Sequence, residues 1–131
     1  MPPPSEHPLD RAYLETLFGS DEETIELMLG LFVESVEPWR QRLLAESDPN
    51  GLRALAHEVK GAAGTVGAHA LTQTAADAEM WVLEWLKQVG QDAQGTGPTM
   101  PEPELQRLEG YRAALLAQLE EVRVWWAQRG Q

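Results

Sequence analysis

The sequence predicts an all-α fold, an antiparallel four-helix bundle with a short extra N-terminal helix. Apolar residues recur at steps of three and four along almost the whole chain, and hardly any stretch alternates as a strand would. Four of the periodic segments are long, and most of the links between them are short, which favours antiparallel neighbours.

The extra helix runs from about Leu9 to Phe18 and stops at Gly19. The next one opens with Ser20 and Glu23 at capping-box spacing and carries Ile25, Met28, Leu29, Phe32, Val36, Trp39 and Leu43 on one face. Pro38 lies inside it, removes an amide donor and crowds the carbonyl of Glu34, so a kink is expected there. Asp48-Pro49 reads as a cap followed by a first-turn proline. The helix that it opens sets Leu52, Leu55, Ala56, Val59, Ala62, Ala63 and Val66 towards the core. A fourth, from about Ala70 to Val89, shows Leu71, Ala75, Ala78, Val82, Trp85 and Val89. Turn formers fill residues 90–101, the one long loop. The last helix, from about Glu102 to Gln128, presents Leu105, Leu108, Leu115, Leu119, Val122 and Trp126, with Arg112 interrupting the stripe.

The chain has 131 residues, no cysteine and 43% hydrophobic residues, which suits one domain with a core that needs no disulfide or metal staple. Residues 1–8 read as a flexible proline-rich tail and residues 9–131 as the domain. Without cysteine there are no thiolate metal sites, cysteine nucleophiles or disulfides, and a reducing compartment is expected. With 21 acidic against 10 basic side chains the net charge is −11, which opposes binding to nucleic acid or anionic membrane and points to protein partners. The longest apolar run, Leu27 to Val33, is far short of the roughly 20 residues that span a bilayer. The start of the chain lacks the basic and apolar stretches of a secretion signal, so a cytoplasmic location is expected.

One helix face is not explained by the core. At about 100° per residue, His57, Lys60, Gly61, Gly64 and Ala68 fall on one side of the third helix, opposite its apolar stripe. Each of the two helical glycines costs roughly 0.8–1.0 kcal/mol relative to alanine. With no side chain at Gly61 and Gly64, a macromolecule can approach until its reactive group reaches the imidazole. A free imidazole titrates near 6.5, so its neutral form is available to attack an electrophile such as a phosphoryl group. Lys60, one of only two lysines, stands one turn away and can neutralise charge on the transferred oxygens, and Arg53, one turn before His57, can assist. The bland alternative is that the small residues serve helix packing and the histidine does nothing.

Other chemistries fail on the letters. A zincin helix would need a second histidine at position 61, where Gly61 stands. His57 and His69 are out of phase and cannot share a metal on one helix. Gly61, Gly64 and Gly67 follow no strand, so they form no dinucleotide loop. His7 and His69 read as surface histidines.

The run Ala56-His57-Glu58-Val59-Lys60-Gly61-Ala62-Ala63-Gly64-Thr65-Val66-Gly67-Ala68, followed by Leu71, Ala75 and Glu79, resembles the signature of histidine-containing phosphotransfer (HPt) domains. The likeness is strongest to those at the C-terminal end of bacterial hybrid sensor kinases, and it covers roughly residues 9 to 89. The resemblance implies that His57 accepts a phosphoryl group from an aspartyl phosphate on a response-regulator receiver domain and passes it to another receiver aspartate. It implies further that Lys60 steadies the phosphoryl oxygens, that Gly61 and Gly64 admit the receiver, and that Glu79 orients the imidazole. Such a protein is a monomeric carrier and no enzyme. It has no cofactor of its own, because magnesium belongs to the receiver. Two other readings stand beside it. His57-Glu58-Val59-Lys60 is also similar to the phosphoacceptor box of histidine-kinase dimerisation domains, though Gly61-Ala62 departs from that pattern. A helical adaptor would use Trp81, Trp125 and Trp126 for its contacts.

Overall fold

A computed structural model describes residues 9–89 and 100–129, and within them the chain forms five α-helices and no strand. The expected tail at residues 1–8, His7, and residues 90–99 of the expected loop lie outside the described residues.

Helix α1 (Arg11–Phe18) begins at Asp10, whose side chain accepts a hydrogen bond from the Tyr13 amide at 3.0 Å. Helix α2 (Glu22–Ala45) is capped by Asp21 and not by Ser20. The Asp21 carboxylate accepts from the Thr24 amide at 3.3 Å and from the Thr24 hydroxyl at 2.9 Å. A carboxylate there also meets the positive end of the helix dipole, which a hydroxyl cannot do. The helix runs on through Pro38. Pro38 is exposed, and so is Glu34 one turn earlier, so the carbonyl deprived of its donor lies on the wet side.

Helix α3 (Pro49–Thr65) has Asp48 at its cap position and Pro49 in its first turn, but the Asp48 side chain makes no capping bond. Its amide donates instead to Glu46 Oε2 at 3.2 Å. Helix α4 (His69–Val89) buries Leu71, Ala75, Ala78, Val82 and Trp85, as the stripe requires. Val89, in the last turn, is 44% exposed. Helix α5 (Glu102–Arg129) buries Leu108, Leu115, Leu119 and Val122, while Leu105 in its first turn is 39% exposed. Arg112 interrupts that stripe because its guanidinium donates to the carbonyl of Leu43 near the end of α2, an orphan acceptor that the helix itself cannot satisfy.

The four long helices pack as a ring, α2 on α3 and α5, and α4 on α3 and α5, with α1 against α2. The α2–α5 pairs fix their sense: Glu26 meets Arg129, Arg40 approaches Glu120 at 3.8 Å, and Leu43 meets Arg112. Rising numbers on α2 face falling numbers on α5, so the two run antiparallel. Side chains such as Ile25, Leu43, Val59 and Leu119 are fully excluded from water at the centre, each contributing about 1.5–3 kcal/mol of burial free energy.

The α3–α4 connection places the functional face. The amide of Ala68 donates to the Ala63 carbonyl at 2.9 Å and that of Gly67 to the Gly64 carbonyl at 3.5 Å, the paired bonds of a Schellman turn. Gly67 takes φ of 71° to close it. The start of α1 is docked on this turn. The Asp10 amide donates to the Gly67 carbonyl at 3.1 Å, and Asp10 Oδ2 lies 3.0 Å from His69 Nε2.

Candidate functional site

The apolar stripe of α3 (Leu52, Leu55, Ala56, Val59 and Ala63) is buried against its neighbours. That fixes the rotation of the helix and turns His57 outward. The His57 side chain is 65% exposed. Across the α3–α4 seam stands Glu79, the one charged residue among the buried ones described, at 7% exposure.

Glu79 uses both carboxylate oxygens. Oε2 is 2.6 Å from His57 Nδ1, and Oε1 accepts from Lys60 Nζ at 2.6 Å. Burial alone would raise the Glu79 carboxyl, but the hydrogen bonds and charges of Lys60 and His57 outweigh it and hold the group below its usual value. Glu79 is therefore ionised at neutral pH and can only accept. It follows that Nδ1 carries the proton and donates to Oε2. In the neutral form of the ring the lone pair is then on Nε2, on the part that looks away from Glu79. An imidazole so held has a defined tautomer and direction, which is what attack through a ring nitrogen requires.

Gly61 and Gly64 follow on α3, and a Cβ added to either would meet nothing within 4 Å. The room beside His57 is thus open to a partner and not filled by a neighbouring helix. This argues against the packing explanation for these two glycines. Arg53 is not part of the cluster: its Nε donates to Asn50 Oδ1 at 2.8 Å, one turn nearer the start of α3. Ala68 is a correction. It is 0% exposed, because α3 ends at Thr65 and the turn at Gly67 carries the chain off the helical path. The positions that continuous periodicity would set on the outer face therefore fold into the core.

Two arrangements carry no signal in the spacing. Lys60 is engaged by a carboxylate on the next helix and does not stand free beside the histidine. Glu58, next to His57, is tied to α2, where its Oε2 accepts from Trp39 Nε1 at 2.7 Å and from Arg42 at 2.6 Å. A core tryptophan needs an acceptor for its N–H, which was the only sequence cue to that contact. The tryptophans of the adaptor reading are half-buried on their own chain. Trp81 packs against Tyr111 with Arg107 over its ring, and Trp125 and Trp126 share Arg129. Among the described residues, no helix is long and apolar enough to cross a membrane.

Fold and site together describe a helical bundle with an exposed imidazole held by a buried carboxylate beside two uncovered glycines. A family model for the Hpt domain matches residues 13–125, and the chain belongs to that family, which serves histidine phosphotransfer in two-component phosphorelays. Hpt domains carry phosphoryl groups and engage response-regulator receiver domains. Neither the curated proteins nor the solved structures compared with the chain gave a significant match.

Proposed function

We propose that this chain is a monomeric cytoplasmic phosphoryl carrier between two receiver domains, the first belonging to a hybrid sensor kinase, with His57 as the residue phosphorylated. The observation that carries the proposal is the 2.6 Å contact of Glu79 with His57 Nδ1, which directs the Nε2 lone pair to the exposed side. In the forward step Nε2 attacks the phosphorus of a receiver aspartyl phosphate. An N–P bond forms, the acyl P–O bond breaks, and the receiver aspartate leaves as a carboxylate. The Nδ1 proton stays with the ring and its hydrogen bond to Glu79 stabilises the charge that the imidazole gains. In the second step a carboxylate of another receiver attacks the same phosphorus and Nε2 leaves. Positioning and charge neutralisation supply most of the acceleration in such transfers. Lys60, whose side chain is 34% exposed, is close enough to turn from Glu79 to the phosphoryl oxygens. Gly61 and Gly64 admit the receiver, and Arg53 meets its rim. Magnesium in this scheme is the receiver's.

The test is incubation with phosphoramidate, followed by intact mass, peptide mapping and addition of a receiver domain with magnesium. The expected result is one acid-labile phosphoryl group on His57, none on a His57→Gln variant that keeps the helical spectrum, and loss of the label to the receiver. Label retained on the variant, or spread evenly over His7, His57 and His69, refutes the proposal and favours the adaptor.

A further inference from the structure

The helix that carries His57 has an uncovered outer face and two glycines just beyond the site, so its own propensity holds it weakly there. Its buried stripe sets which side faces out, and a pair of tethers leaving adjacent residues towards opposite flanks holds that orientation more finely. His57 and Lys60 are bound on one flank to Glu79 of α4. Glu58 is bound on the other flank to α2, through Trp39 Nε1 at 2.7 Å. The two ends of that second tether differ in footing. Trp39 is 5% exposed, packed edge-on to Phe32 with ring centroids 5.5 Å apart, and it cannot move without disturbing the core. Arg42, the other partner of Glu58, has a side chain 53% exposed, and an ion pair in that setting contributes little.

We infer that Trp39 is a positioning residue for phosphotransfer: its indole N–H holds Glu58 and so trims the rotation that the buried stripe gives α3, aiming His57 Nε2 at the incoming phosphoryl group. The inference rests on the carrier role proposed above. Rotation of α3 about its own axis would swing His57 and Glu58 together, and the Glu58 tether blocks the direction that the Glu79 tether leaves free. Trp39 touches neither the imidazole nor the partner; it acts through one hydrogen bond to the residue beside the nucleophile. Small misplacements of a reacting group are costly because in-line attack depends on distance and angle.

The test compares Trp39→Phe, which keeps an aromatic ring against Phe32 and deletes the N–H, with Glu58→Ala, Glu58→Gln and the Trp39→Phe/Glu58→Ala double variant. Transfer from phosphorylated protein to a receiver is timed at a temperature where thermal melts show every variant fully folded. The pH titration of the His57 ring is followed by NMR. Trp39→Phe and Glu58→Ala are each expected to slow transfer about tenfold and to move the His57 titration. The double variant should be no slower than either single one, since both remove the same bond. Glu58→Gln, which keeps an acceptor for the indole, should recover most of the rate that Glu58→Ala loses. Wild-type transfer and an unmoved His57 titration in Trp39→Phe overturn the inference, as do single effects that multiply in the double variant. Should the wild-type protein accept no phosphoryl group, the carrier role fails, and the titration of His57 still decides whether Trp39 positions it.

Discussion

Glu79 Oε2 stands 2.6 Å from His57 Nδ1 across the seam between α4 and α3, while the other oxygen of the same carboxylate holds Lys60. A buried anion is thus satisfied by two cation-forming groups that are themselves partly in water, the arrangement that limits the cost of burying charge. Removing Glu79 should cost more in chemistry than in stability. Glu79→Ala is expected to fold with a loss of about 1–2 kcal/mol, below the usual figure for a broken buried pair because both partners can turn to solvent. It should accept phosphoryl groups at least about tenfold more slowly. Urea unfolding and the rate of labelling by phosphoramidate measure the two separately; equal labelling of variant and wild type would remove the orienting role.

The same carboxylate sets an acid limit on stability. Glu79 is lowered from its ordinary value of 4.5, with burial opposing and Lys60 and His57 prevailing, and Glu58 is lowered chiefly by the Trp39 hydrogen bond. A depressed carboxyl contributes stability that is fully present above the unfolded value and is lost as pH falls through the folded one. Melting temperature should therefore hold above about pH 5 and fall below about pH 4.5. Glu79→Gln should be less stable at pH 7 and lose less on acidification, so the two melting curves converge at low pH. Parallel curves would contradict the assignment.

Gly61 and Gly64 separate stability from function. A Cβ at either meets no atom within 4 Å and both lie inside α3, so alanine should stabilise the protein by about 0.5–1 kcal/mol per site. Gly64→Leu should fold as well as wild type and label with phosphoramidate normally, yet exchange phosphoryl groups with a receiver domain several-fold more slowly. Unchanged exchange would show that the partner does not approach over this face.

Gly67 should respond with the opposite sign. Its φ is 71°, and an added Cβ would lie 3.0 Å from the Tyr13 ring and 3.1 Å from both the Cβ and the carbonyl oxygen of Asp10. Gly67→Ala is expected to lose about 1–2 kcal/mol from the left-handed conformation, plus whatever the displaced start of α1 costs. Denaturant unfolding beside Gly61→Ala tests the contrast; stabilisation at both sites would contradict the turn geometry.

The local sequence determined which segments are helices and which way each one faces. The stripes on α2 and α3 and the outward side with His57, Lys60, Gly61 and Gly64 are legible because a helix repeats its environment every 3.6 residues. The contact of Glu79 with His57 was expected from the family resemblance and not from any spacing. Tertiary structure decided the rest. Ala68 leaves the outer face because the Schellman turn at Gly67 ends the period. Val89 and Leu105 keep the pattern yet stay exposed, each in an end turn of its helix. Lys60 shares Glu79, and Glu58 reaches Trp39, only because of the register in which α4 and α2 pack on α3. Periodicity is a property of a single helix and determines direction; the partner found in that direction depends on how far each neighbour slides and turns as the whole core closes.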